Sequence, residues 1–227
     1  MDRLLLKSRK KLAVYTLTRD RLDYTKRMLE QLKDCGEEFD HFIIDNGSTD
    51  GTAEWLKDAI KLPRNTGLWT AINILLLYTN HFRDYRYVLK LDNDLEFPEA
   101  GWLTRLIDTY EARDYDVLTP FVEGICKGKG GPDRILDDNG IGMTLSVGGA
   151  CLLTEAENYD ELFPNRYMAR GWDTWFCKNK KCGVVEDIRV RHDTEKQEAE
   201  KPDYYQRKQE ESKIVYGYED RDMYVQL

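Results

Sequence analysis

Three groups of acidic residues stand at junctions, two where strand-like segments give way to turns and one where a loop enters a helix. In Lys90-Leu91-Asp92-Asn93-Asp94 two carboxylates lie one residue apart. That spacing can share a hard divalent cation with phosphate oxygens, and such an ion offsets the negative charge of a departing diphosphate. In Asp45-Asn46-Gly47-Ser48-Thr49-Asp50-Gly51-Thr52 an apolar run ends on a carboxylate and continues as a turn. A carboxylate so placed can accept a hydrogen bond from a base N–H or a ribose hydroxyl; the same residue types also make an ordinary turn and helix N-cap. In Ala169-Arg170-Gly171-Trp172-Asp173-Thr174-Trp175 the acid opens an aromatic-rich helix. It is a candidate general base, or an acid that complements a helix dipole. His192, in Arg189-Val190-Arg191-His192-Asp193, can complete a metal site begun by Asp94. His41 and His81 have no comparable setting.

These groups need elements to hold them. Short apolar runs rich in β formers predict strands over 12–17, 41–44, 87–91, 117–119, 147–153 and 184–190. Helical spacing or start signals predict helices over 22–32, 52–60, 70–78, 102–110 and 171–180. The alternation predicts an α/β sheet, in which ligands bind at the carboxyl ends of the strands. Residues 123–146 contain six glycines and read as a loop near the ligand, where Lys127, Lys129 and Arg134 could meet phosphates. From Asp193 onward the chain is rich in charge and tyrosine and reads as a helical extension.

Composition narrows the class. A chain of 227 residues suits one domain with a core of useful size. With 34 Lys+Arg against 42 Asp+Glu the net charge is −8, which opposes broad nucleic-acid binding while leaving room for a local basic groove. The apolar stretch around Ile74–Leu77 is far short of the ~20 residues of a membrane span. The opening MDRLLLKSRKK has too short an apolar run for a signal peptide. Five cysteines with no CxxC pair read as reduced thiols of a cytoplasmic protein and argue against zinc.

In this order the motifs resemble glycosyltransferase family 2 on a GT-A fold. Ala13-Val14-Tyr15-Thr16-Leu17-Thr18-Arg19 is similar to the family's nucleotide-binding first strand, with Tyr15 where a proline is usual. Ile43 through Thr52 resembles its most recognisable stretch. Arg64-Asn65-Thr66-Gly67-Leu68-Trp69-Thr70-Ala71-Ile72-Asn73 resembles its Asn-x-Gly loop, and Val88 through Asp94 its DxD strand. Gly148-Gly149-Ala150 and Gly171-Trp172-Asp173 resemble its acceptor strand and base motif, with Trp172 in place of a Glu.

The resemblance implies one GT-A-type domain over residues 1–193, with a mixed, mostly parallel central sheet flanked by helices. A nucleotide-binding part covers about 12–94, an acceptor part about 95–193, and a charged extension 194–227. It implies metal-dependent, inverting transfer from a nucleotide-sugar donor, a UDP-sugar, to a hydroxyl acceptor. Asp173 would be the general base. Thr16, Arg19, Asp45, Arg64, Asn65, Gly67, Asp92, Gly148 and Gly149 would bind the nucleotide-sugar. Asp94 and His192 would hold Mn²⁺ or Mg²⁺. The acceptor stays open between a glycan and a modified DNA base, for which Lys7, Arg9, Lys10, Lys11 and the Trp172/Trp175 pair could supply charge and stacking. Two other classes compete. A nucleotidyltransferase would carry a Gly-rich basic loop after the first strand, which Thr16-Leu17-Thr18-Arg19 is not. A non-catalytic nucleotide-sugar-binding module would make the acidic sites incidental. The oligomeric state has no signal in the sequence.

Overall fold

The computed structural model describes residues 10–97, 99–124, 135–138, 140–145, 147–163, 172–192, 194–207 and 210. Lys7, Arg9, Cys126, Lys127, Lys129, Arg134, Gly171 and the tail after 210 lie outside the described residues.

The first strand, β1 (Lys10–Thr18), is buried on both faces: Leu12 and Val14 point one way, Ala13 and Tyr15 the other. A strand with two apolar faces belongs inside a sheet covered on both sides. β1 pairs in parallel with β2 (Asp40–Asn46) and with β4 (Tyr85–Asp92), and β2 carries β3 (Ile60–Leu62) on its outer edge. Beyond β4 comes β8 (Cys151–Glu155), antiparallel to β4 and to β5 (Val117–Glu123). β9 (Cys182–Arg191) runs parallel to β5 and takes the β6–β7 hairpin (Ile135–Leu136, Ile141–Thr144) on its far side. Among the described residues nine strands lie in the order β3-β2-β1-β4-β8-β5-β9-β7-β6, parallel throughout the first half and mixed in the second.

Helices cover both faces. α1 (Leu22–Gln31) and α4 (Trp102–Ala112) pack on the Leu12, Val14, Leu89 and Leu91 face. α3 (Leu68–Tyr78) and α5 (Trp172–Cys177) pack on the Ala13, Tyr15 and Val88 face, with Phe82 and Tyr159 between them. α6 (Thr194–Glu200) follows β9, and residues 202–207 are again helical. Among the described residues no helix is long and apolar enough to cross a membrane.

The expected elements appear, with three corrections. Helix 52–60 is a single turn, α2 (Thr52–Trp55). The chain leaves it at Leu56, and Ile60 and Leu62 pair with Ile44 and Asn46 as β3. Alternation at 60 and 62 was too short to be legible, and pairing with a waiting edge outweighs three residues of helix propensity. The strand expected from 147 begins only at Cys151; Gly148 lies in irregular backbone and Gly149–Ala150 in a turn. Within 123–146, β6 and β7 form a hairpin whose glycines the sequence presents as loop.

His41, in β2, shares a 3.0 Å hydrogen bond between its Nε2 and the Thr16 hydroxyl. Burial pushes its imidazole down from the ordinary 6.5 to about 4. The unfolded chain therefore takes up a proton between these values while the folded chain does not. The expected result is a loss of stability on acidification through that window, on the order of 2–3 kcal/mol from this residue. Denaturant unfolding of wild type and His41→Gln at about pH 7 and pH 4.5 checks it, since the variant should lose less. Equal losses would remove His41 as the cause.

Candidate functional site

The carboxyl ends of β1, β2 and β4 form one rim. Register places Thr18 beside Asp45, and Leu17 beside Asp92. Asn93, just past β4, is buried and donates from Nδ2 to Thr18 Oγ1 (3.0 Å), Thr25 Oγ1 (2.9 Å) and the Asp20 carbonyl (3.3 Å). This anchor fixes the acids on either side of it. Asp92 donates its backbone N–H to the Ala150 carbonyl (2.8 Å), which docks the Gly149–Ala150 turn against the rim. Gly149 in turn donates its N–H to Asp173 Oδ2 (3.0 Å), while Asp173 Oδ1 accepts from the Thr174 N–H (2.9 Å). A Cβ on Gly149 would come within 2.7 Å of the Trp172 indole, so only glycine lets the turn sit this close. The Gly149–Ala150 backbone thus links Asp92 to Asp173 through one hydrogen bond at each end.

Asp94 is buried in the rim, its side chain 2% exposed. His192, delivered by the end of β9, has its backbone N–H on the Glu123 carbonyl (2.8 Å) and Nε2 3.2 Å from Asp94 Oδ2. Burial lowers the imidazole's proton affinity, but the charge and hydrogen bond of Asp94, aided by Asp92, outweigh it; the net shift is upward. One ligand atom each from Asp92, Asp94 and His192 lie within 4.8 Å of one another. Two carboxylates and one imidazole are a hard, oxygen-rich donor set of the kind that suits Mn²⁺ or Mg²⁺.

The other residues singled out in the sequence fall around this centre. Asp45 is fully buried, and its carboxylate accepts from the N–H (3.0 Å) and the hydroxyl of Ser48. Asn65 Oδ1 accepts from the Gly67 N–H (3.0 Å) and Asn46 Nδ2 (3.2 Å), tying the Asn-x-Gly loop to the end of β2. Gly67 has a positive φ of 79° and starts α3. Arg64 is exposed, and its backbone backs Gly47 closely enough that a Cβ there would lie 2.4 Å from it. Arg19 is partly buried beyond the end of β1. Thr16 is fully buried two residues short of the end of β1, its hydroxyl on His41.

Sequence reasoning missed four side chains. Lys90 is 2% exposed, contacts Asp92 and lies 5.6 Å from the Trp172 ring centroid. The signal was present: residues 90 and 92 share one face of a strand, and a buried lysine needs a partner. Arg21 donates to Asp94 and to Asn93 Oδ1 (2.9 Å). Gln197, in α6, is buried and donates from Nε2 to the Asp94 carbonyl (3.3 Å), and the Tyr204 ring lies 4.9 Å from the Arg21 guanidinium carbon. No local pattern marks Arg21, Gln197 or Tyr204.

The family model described as glycosyl transferase family 2 matches residues 13–149, more than half of the chain. No curated protein sequence matches it. Among solved structures, residues 1–349 of TarS from S. aureus superpose with a TM-score of 0.60 at 17% identity, covering 87% of this chain and 63% of that one. The mannosyltransferase PcManGT from Pyrobaculum calidifontis, solved with GDP-Man and Mn²⁺, superposes at 0.61 and 12% identity, covering 81% and 57%. HddC from Yersinia pseudotuberculosis superposes at 0.54 and 14% identity, covering 78% and 92%. The chain spans less than two thirds of the first two. At these identities the likeness is one of fold.

Proposed function

We propose, since the chain belongs to glycosyl transferase family 2, that it transfers a sugar from a UDP-sugar to a hydroxyl acceptor with inversion at the anomeric carbon. The observation that carries this reading is the contiguity of two chemistries. Asp92, a member of the Asp92, Asp94 and His192 donor set, bonds through its backbone N–H to the Ala150 carbonyl, and the adjoining Gly149 bonds through its N–H to the Asp173 carboxylate.

Asp94, His192 and Asp92 fit a Mn²⁺ or Mg²⁺ ion, which when bound supplies positive charge against the leaving diphosphate. Asp173 accepts the proton of the acceptor hydroxyl as its oxygen bonds to the anomeric carbon. Attack from the face opposite the diphosphate gives the inverted product. The Gly149 N–H holds one Asp173 oxygen, leaving the carboxylate oriented for that transfer. The donor's nucleotide lies on the part built from residues 12–94, with Asp45, Arg19, Arg64, Asn65 and Gly67 shaping its pocket. Thr16 contributes through the placement of β1, because its hydroxyl is already engaged by His41. Gly148 and Gly149 allow backbone to approach the sugar. Residues 95–193 present the acceptor. The described cysteines, Cys35, Cys151, Cys177 and Cys182, are buried, in keeping with a reducing, cytoplasmic setting.

Calorimetric titration with UDP and with GDP, each with and without Mn²⁺, tests the donor assignment. UDP should bind about tenfold or more tightly with the ion present. UDP binding indifferent to Mn²⁺ would remove the metal role, and preference for GDP would move the donor to a guanosine diphosphate sugar.

A further inference from the structure

We propose that Arg21 is a resident competitor for the metal position: its guanidinium occupies Asp94 when no divalent cation is bound, and the segment 194–207 holds it there. The proposal rests on the reading of Asp92, Asp94 and His192 as a metal site.

Arg21 reaches Asp94 through an unusual backbone. Asp20 and Arg21 follow β1 with φ of 53° and 63°, consecutive non-glycine residues in the left-handed region. Such a pair persists only where surroundings over-determine it. Here Asp20 donates its N–H to Ser48 Oγ (2.7 Å), and its Oδ1 accepts from the Thr49 N–H (2.7 Å). The turn after β2 thus clamps the turn after β1.

The guanidinium then meets two sets of partners. Nη1 and Nη2 donate to Asp94 and Asn93, the residues of the metal motif. From the other side Nη1 donates to Gln197 Oε1 (3.2 Å), and Tyr204 lies over the guanidinium. The Tyr205 hydroxyl donates to the same Gln197 oxygen (2.9 Å), and Arg207 donates to Asp20 Oδ2 (2.5 Å). Lys201 Nζ lies 3.3 Å from Asp23, and Tyr24 donates to Glu200, so the segment is tied to α1 along its length.

Asp94 Oδ2 is the oxygen shared by Arg21 and His192. A guanidinium stays charged at every working pH, so it cannot yield by losing a proton. A divalent cation on that oxygen would face a unit positive charge at contact distance in an enclosed site. Ion binding through that oxygen therefore requires Arg21 to move off it, against the contacts made by Gln197 and Tyr204. The anionic diphosphate of a donor supplies the displaced guanidinium with a new partner, so ion and donor are expected to favour each other's binding.

The test is Mn²⁺ alone, titrated into the full chain without nucleotide and followed by the EPR signal of the free ion. Arg21→Gln removes the competing charge and keeps donors for Asp94. It should bind Mn²⁺ about tenfold or more tightly than wild type. Tyr204→Ala loosens the clamp without touching Asp94 and should tighten Mn²⁺ by a smaller factor; it carries the test if Arg21→Gln does not fold. Equal or weaker affinity in the folded variants overturns the proposal while leaving the metal site intact. Absence of Mn²⁺ binding in wild type and both variants overturns the metal reading itself, and the proposal with it.

Discussion

Asp173→Asn is expected to lower sugar transfer by about 10²- to 10⁴-fold while leaving Mn²⁺-dependent nucleotide binding unchanged within about twofold. The amide keeps the size of the acid and can still accept the Gly149 N–H, so the turn that carries Gly148 and Gly149 retains its anchor. What it loses is a basic oxygen for the proton of the acceptor hydroxyl. Transfer and donor binding should therefore separate: the turnover falls, and the calorimetric titration with UDP and Mn²⁺ does not. Product formation by chromatography, beside that titration, checks both halves. Transfer within a few-fold of wild type would place the base elsewhere. A parallel loss of nucleotide binding would make Asp173 a scaffold of the Gly149 turn.

Asp94→Asn should abolish the metal dependence of donor binding and reduce kcat/KM by about 10²- to 10³-fold, the usual consequence of removing a charge-stabilising group. The substitution also has a structural side. Asp94 is the buried partner of the Arg21 guanidinium, whose side chain is 13% exposed. Removing one member of such a pair leaves the other charge without compensation, a loss of about 3–5 kcal/mol when nothing replaces it. Asparagine retains an acceptor oxygen for Arg21, so the stability loss should be smaller than for alanine, and unfolding midpoints of the two variants measure the difference. The catalytic effect is read only on protein shown to be folded, with Mn²⁺ binding followed directly. Wild-type metal dependence in folded Asp94→Asn would remove Asp94 from the ligand set.

The acids at the strand ends were legible in the sequence, and the reason is local. Asp45, Asp92 and Asp94 follow runs whose alternation or continuous apolar character predicts strands, and the sheet does present their carboxyl ends as one rim. Gly149 and Asp173 were visible as motifs, but not their hydrogen bond. Where the local signal was short it failed: Ile60 read as the end of a helix, yet with Leu62 it forms an edge strand, because the free edge of β2 lies beside them.

The sequence by itself determined the alternating α/β plan, the acids at the strand ends and the histidine after the last strand. Each follows from side-chain periodicity, turn residues and short-range sterics, which act within a few residues. Only the tertiary structure decided that Arg21 would rest on Asp94, 73 residues away, and on Gln197, 176 residues away. Strand order and register bring those groups together, and no local preference of an arginine or a glutamine encodes which distant carboxylate it will meet. The same holds for the helical turns after His192: their charge and tyrosine content were evident, whereas their position over the metal motif depends on where β9 ends in the sheet.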